Sequence, residues 1–366
     1  MKKVIALVLA ALMPLAMAAC GGGGSTAQTT AATTVATTAA TTEATTAATT
    51  AAPEVNVASA NIILGHFGAP GEPVTEAAEL FKKTVEDLSN GAITVEIHGA
   101  SVLGNAKEMA EQTEIGAIQA CLISEGSLDK YDLRYALVGS PYLYSSYDHA
   151  YAVVDGPFAD WVRDGTLESK GLHNLGPWDY GFRCLTNSVR EVKTPADVSG
   201  LKIRTPLEIQ KVACFESMGA DVSQINFNEL ITALKQGTVD GQENPLSTIF
   251  NNSMWEANQT YLSLTRHTWE AVNLTVSNTW WTGLDDTQRG MIEEAHATAR
   301  DFMRNAVQSG EQDYITKLAD AGVTVTEIDM AEFQAAMTPA YERIAEYVGS
   351  QDDMDKFLEM VADIAP

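Results

Sequence analysis

Between Pro73 and Gly91 the apolar residues Val74, Ala77, Ala78, Phe81, Val85 and Leu88 recur three and four positions apart, which places them along one stripe of a helix. Pro73 suits the first turn, and Ser89-Asn90-Gly91 supplies the stop. The period then changes. Ile93, Val95 and Ile97 alternate with Thr94 and Glu96, as in a strand with one buried face, and Ala117 to Ser124 is a short, mostly apolar run suited to a buried parallel strand. The two patterns alternate to about residue 277, an order that predicts α/β domains with mostly parallel sheets. Asp285 to about Ala321 differs, because it lacks proline and carries Met291, Ile292, Ala295, Ala299, Phe302, Met303 and Ala306 on one side. As one helix it would run about 50 Å, longer than a single domain needs, with Gly310 the position expected to bend it. Val323, Val325 and Ile328 predict a last strand, and Met330 to Tyr347 and Met354 to Ile364 predict closing helices.

The first twenty residues follow another rule. Lys2 and Lys3 precede an apolar run from Val4 to Ala19, broken by Pro14 and ending at Cys20 and four glycines. The run is too short and interrupted to span a bilayer well and suits the core of a signal peptide. Met17-Ala18-Ala19-Cys20 resembles a bacterial lipoprotein signal, in which the cysteine thiol takes the lipid, so the chain is expected to be exported and anchored through Cys20. From Thr26 to Ala52 every residue except Gln28, Val35 and Glu43 is Thr or Ala. Without large apolar side chains to offset its ordering entropy, residues 21–60 read as a tether. A globular module, 61–366, is left.

Composition narrows the partners. The chain has 366 residues, 45% apolar and 19% charged, with a formal charge of −25. That is enough for two domains with real cores and too apolar for a wholly disordered chain. An isoelectric point near 4.5 argues against nucleic acid, whose phosphates need clustered Lys and Arg. Beyond Cys20, Cys121, Cys184 and Cys214 have no paired spacing and are expected to be buried free thiols.

Catalytic and metal chemistry is hard to find. The six histidines are scattered without a metal-binding spacing, and there is no nucleophile elbow or phosphate loop, so neither an enzyme nor a cofactor is expected. The arginines carry more information. There are only ten, and two lie in Trp178-Asp179-Tyr180-Gly181-Phe182-Arg183 and Leu201-Lys202-Ile203-Arg204-Thr205-Pro206, segments that read as strand ends or strand-flanking turns. A guanidinium keeps its charge beside apolar neighbours and matches a carboxylate bidentately. Each is therefore either half of a structural ion pair or a receptor for an anion from outside.

Several segments, in order, resemble the solute-binding proteins of tripartite ATP-independent periplasmic (TRAP) transporters, the DctP-type family. They include Pro141-Tyr142-Leu143-Tyr144, Gly181-Phe182-Arg183, Leu201-Lys202-Ile203-Arg204 and Asp240-Gly241-Gln242-Glu243-Asn244-Pro245. The resemblance implies a two-lobed periplasmic-binding-protein-like α/β fold with discontinuous lobes, crossing hinge strands and a long helix spanning both. The first lobe would be about 61–180 and 270–310, the second about 181–269 and 311–366. It also implies a monomeric receptor that closes on a small organic acid and delivers it to TRAP membrane subunits.

In that family the position of Arg204 pairs with a ligand carboxylate, with those of Arg183 and Asn244 completing the site. Phe227 and Trp178 are further candidates to touch ligand, as are Tyr142, Tyr144 and Asn187. Glu125 stands where relatives place a specificity residue of the first lobe. Facing the cleft, its carboxylate would favour a hydroxylated monocarboxylate such as a sugar acid over the alternatives, a C4-dicarboxylate or another 2-oxo or hydroxy acid. A ligand-sensing receptor for a signalling partner is the other reading.

Overall fold

A computed structural model describes residues 57–364; Cys20, the leader and nearly all of the Thr/Ala tether lie outside them. Among the described residues nine strands form one mixed sheet: β1 (Ala60–His66), β2 (Ile93–His98), β3 (Ala120–Ser124), β4 (Leu172–Asn187), β5 (Lys202–Thr205), β6 (Asp221–Gln224), β7 (Gly241–Pro245), β8 (Tyr261–Ser277) and β9 (Thr324–Thr326). Their order is β2-β1-β3-β8-β4-β7-β5-β6, with β9 beside β8.

The expectation of mostly parallel pairing holds within each half and fails at the centre. β1 runs parallel to β2 and β3, and β5 to β6 and β7, but β8 pairs antiparallel with β3 and β4, and β4 antiparallel with β7. β4 and β8, of 16 and 17 residues, are about three times the usual strand length of five to six and therefore belong to both halves. Their register slips between Asp179 and Gly181 and again between Arg183 and Leu185. Gly181 lies at φ +106°, a conformation open to glycine, and a Cβ there would meet Val307 at 3.1 Å.

The helices form where the pattern placed them. Pro73–Leu88 buries Val74, Ala77, Ala78, Phe81 and Val85, each larger side chain contributing roughly 1.5–3 kcal/mol, and stops where Asn90 and Gly91 turn left-handed. The long helix, Asp286–Asp320, starts at a reciprocal cap in which Asp285 accepts from Gln288 N–H and Gln288 from Asp285 N–H, each at 2.9 Å. It is unbroken at Gly310. It packs on Pro73–Leu88 and β4 in one half and on the helix Leu246–Asn251 and β9 in the other. The single helix expected from Met330 to Tyr347 is two, Met330–Ala335 and Thr338–Val348, because Pro339 has no N–H to continue the first. The last helix is Gln351–Asp363. No described helix is long and apolar enough to cross a membrane. Cys121, Cys184 and Cys214 are free and buried.

Candidate functional site

The parallel strands of the two halves point their carboxyl ends at each other, the usual place for a ligand in an open α/β sheet. Between them lies a cavity of about 490 Å³. One wall is made by turns that follow β1, β2 and β3, carrying Phe67, Ser101, Asn105, Ser124, Ser127 and Asp129. The other comes from the ends of β5, β6 and β7, carrying Arg204, Glu208, Gln224, Asn226, Phe227 and Asn244, with Arg183 and Glu270 from β4 and β8 at the base. Phe67 meets Phe227 edge-on across the gap at 6.0 Å. Ser124 donates to Glu208 across it at 2.6 Å, and Gly126 allows that approach, since a Cβ there would lie 2.4 Å from the Glu208 carboxylate.

Arg204 is 1% exposed, on the short strand β5 between Ser223 and Gln242. Its Nε donates to the Ile225 carbonyl at 2.8 Å, which fixes the plane of the guanidinium. Neither terminal nitrogen has an acceptor within the described chain, and no described carboxylate forms an ion pair with it. Burial lowers its pKa to about 10, a shift that Glu243 opposes and Arg183 adds to. The group is still a cation at neutral pH, with two nitrogens directed at the cavity and no counterion of its own.

Arg183, 3% exposed on β4, is held in the opposite way. Its Nε donates to Glu243 and Nη1 to Glu270, while Nη2 reaches the Glu243 carbonyl at 2.6 Å, Glu243 Oε1 at 2.9 Å and Asn244 Oδ1 at 3.0 Å. Burial would lower its pKa, but Glu243 and Glu270 outweigh that and raise it well above the usual value. Burial would likewise raise Glu243, yet Arg183 and the His267 hydrogen bond bring it down to about 2. The network extends through Lys211, which lies 2.6 Å from Glu208, 3.3 Å from Glu270 and 3.9 Å from Glu125. Burial depresses the ammonium less than these carboxylates raise it. The base of the cleft is thus a buried mesh of paired charges beside Arg204, which has no ion-pair partner among the described residues.

The family model for bacterial extracellular solute-binding protein family 7, DctP, matches residues 64–347. The chain belongs to this family. It is 35% identical over 290 residues to the protein y4mM of Sinorhizobium fredii, covering 78% of this chain and about half, 52%, of that one. It is 29% identical to the 2,3-diketo-L-gulonate-binding periplasmic protein YiaO of Escherichia coli, covering 77% of this chain and 86% of YiaO. Among solved structures it is similar to the sugar acid binding protein DctPAm of Advenella mimigardefordensis in complex with galactonate, with a TM-score of 0.80 and 28% identity over 84% of this chain and 99% of that one. The DctP chain is accordingly a two-lobed, extracytoplasmic solute-binding receptor and not an enzyme.

Within this DctP protein the expected site residues separate. Arg204, Asn244 and Phe227 line the cleft. Arg183 also reaches its wall, where two carboxylates already match its charge and its Nη2 donates to Asn244 Oδ1. Glu125 does not face the cleft. Its Oε2 accepts from Ala271 N–H at 2.9 Å, and burial, only partly offset by Lys211, raises its pKa. Trp178 is fully buried against Phe81 and His296, because its face of β4 packs on the long helix. Tyr144 donates to the Val138 carbonyl in the core and Asn187 caps the Val189–Arg190 turn; neither they nor Tyr142 line the cavity.

Three described carboxylates do reach the cleft, Asp129, Glu208 and Glu270; Glu208, which sequence reasoning passed over, is hydrogen-bonded across it to Ser124. It is held ionised because Lys211 and Ser124 outweigh the burial that would raise it. A signal was available: Glu208 follows Arg204 in the turn leaving a predicted parallel strand, where such sheets bind ligands.

Proposed function

We propose that this DctP-family receptor captures a hydroxylated monocarboxylate, a sugar acid, by pairing the acid with Arg204, and delivers it to TRAP membrane subunits once the lobes have closed. The observation that carries this is the buried Arg204 guanidinium, which no described carboxylate neutralises and whose free nitrogens face the cleft. A ligand carboxylate supplies the missing charge bidentately. Asn244 adds a neutral amide, with Oδ1 held by Arg183 and Nδ2 beside Gln242. Serine hydroxyls on the first wall and side-chain amides on both suit ligand hydroxyls, and Phe67 and Phe227 offer apolar faces to a carbon chain. Glu208 disfavours a second acidic group, which argues for a monocarboxylate over a C4-dicarboxylate. The ligands named for YiaO and for the Advenella protein, 2,3-diketo-L-gulonate and galactonate, are acids of this kind.

Closure follows from the same geometry. Contacts such as Ser124 to Glu208 join the walls only when the lobes are together, so a ligand touching both walls favours the closed form. The turning point we assign is the slipped register of β4 and β8 around Gly181 and Glu270. Lipidation of Cys20 would anchor the receptor, as a monomer, at the outer face of the cytoplasmic membrane, with the Thr/Ala segment as its tether.

The test is calorimetry with galactonate and with succinate on the parent and on Arg204→Ala. Galactonate binds the parent more tightly than succinate, and the substitution removes the binding. A variant affinity within about threefold of the parent overturns the pairing, since losing a buried charge partner costs far more.

A further inference from the structure

The three carboxylates that line the cleft are not equivalent. Glu208 has both oxygens engaged, Oε1 by the Ser124 hydroxyl and Oε2 by Lys211, each at 2.6 Å. Glu270 accepts from Arg183 at Oε2, and its Oε1 lies 3.3 Å from Lys211. Asp129 is different. It ends the short turn Glu125–Leu128 on the first wall, is only partly buried, and forms no ion pair with a described residue. Tyr347, on the helix Thr338–Val348, donates to its Oδ2 at 2.8 Å, while Oδ1 meets no side-chain donor among the described residues and is not shut off from solvent. The next residue, Lys130, turns its ammonium to Glu111 at 3.0 Å instead. Lys107 also lines this wall, but it is exposed to water and is the weakest of the influences on Asp129.

The hydroxyls beside Asp129 have a direction that can be deduced. Ser124 gives its proton to Glu208, so in the 2.8 Å contact between Ser124 and Ser127 the donor is Ser127. What this part of the wall has left for a guest is acceptors, the Ser127 lone pairs and Asp129 Oδ1. A hydroxyl can donate to them, and a carboxylate cannot. On the opposite wall Arg204 is a cation without a counterion. Glu208 is close enough to act on both, supporting the Arg204 charge and opposing ionisation of Asp129. The cleft therefore holds an unmatched cation on one wall and an unmatched carboxylate on the other.

We infer that Asp129 is the specificity residue for the far end of the ligand: with the acid on Arg204, its Oδ1 accepts from a hydroxyl there and turns away a second carboxylate. The inference rests on the Arg204 reading above and adds to it an excluded class, the diacids built on the same sugar chain. Burial pushes the Asp129 pKa up to about 6, against the Tyr347 hydrogen bond and with Glu208 adding to the rise. Below that pH the carboxyl is neutral and the repulsion is gone. Glu208 contributes a bias of the same sign that does not titrate in this range, because Lys211 and Ser124 hold it ionised.

The test is calorimetry of the full chain with galactonate and with galactarate, the same carbon chain ending in a second carboxylate. At about pH 8 the parent should bind galactonate at least about tenfold more tightly. Asp129→Asn should narrow that preference at least about fivefold. Taking the parent to about pH 5 should narrow it in the same way, while the preference of the variant stays constant with pH. Tyr347→Phe separates a reader of the ligand from a structural tie: it removes the hydrogen bond to Oδ2 and should leave the preference in place. Two results overturn the assignment while leaving the Arg204 reading intact. One is a parent that takes galactarate as tightly as galactonate, and the other is an Asp129→Asn protein that loses both acids alike with the preference unchanged within about twofold. A parent that binds neither acid overturns the Arg204 reading itself, and this inference with it.

Discussion

Arg183 and Arg204 lie two strands apart in one sheet, equally buried, and the chain treats them in opposite ways. Around Arg183 the strands β7 and β8 bring Glu243 and Glu270 into contact with the guanidinium, and its pKa rises. Around Arg204 the one hydrogen-bond acceptor among the described residues is a backbone carbonyl, and burial pulls the pKa down to about 10 although Glu243 opposes it. A buried cation that its own chain neutralises is framework, whereas one left without a counterion is a demand on the solution outside. The contrast separates framework from proposed binding site more sharply than any difference in residue type, and it can be tested from both ends.

The largest expected effect is on affinity. Arg204→Ala should lower it by about two to four decades, the equivalent of roughly 3–5 kcal/mol, with no loss of folding stability, because an unpaired buried charge is removed. Calorimetry and thermal unfolding on the same preparation check both halves of that statement. Arg183→Met should do the reverse, costing about 3–5 kcal/mol of stability by leaving Glu243 and Glu270 buried without their partner. In urea unfolding, a midpoint unchanged from the parent would erase the proposed distinction. Restoring part of the loss with Glu270→Gln in the same chain would sharpen it.

A third test is pH. Burial alone would raise Glu243, but Arg183 and His267 hold it near 2, below its ordinary 4.5. A depressed carboxyl contributes stability that is fully present above about pH 4.5 and is lost as pH falls towards 2. Acid unfolding of the parent should steepen in that window, and Glu243→Gln should flatten the limb while lowering stability at pH 7. The smallest effect belongs to Ser124→Ala, which removes one hydrogen bond across the cleft. It should weaken ligand by about 1 kcal/mol, roughly fivefold, without changing ligand preference.

Much of the fold could be read along the chain because its signals are local. The stripe from Val74 to Val85, the alternation at Ile93–Ile97 and the proline-free stretch with one apolar side after Asp285 are each signals carried by near neighbours in the chain, and each element formed there. The antiparallel centre was not legible, since nothing in β4 or β8 separately records which strand lies beside it. The same limit split the site residues. Glu125 and Glu208 are both carboxylates just beyond a strand, and only the packing of Lys211 and Ala271 decides which faces the cleft.

Taken alone, the sequence determined the family, the alternation of elements and the presence of two arginines in apolar strand-end segments, because those properties depend on residue order and period. The tertiary structure decided which arginine stays unpaired, because a counterion is set by distance in space. Glu243 stands sixty positions from Arg183 in the chain and one hydrogen bond away in the fold.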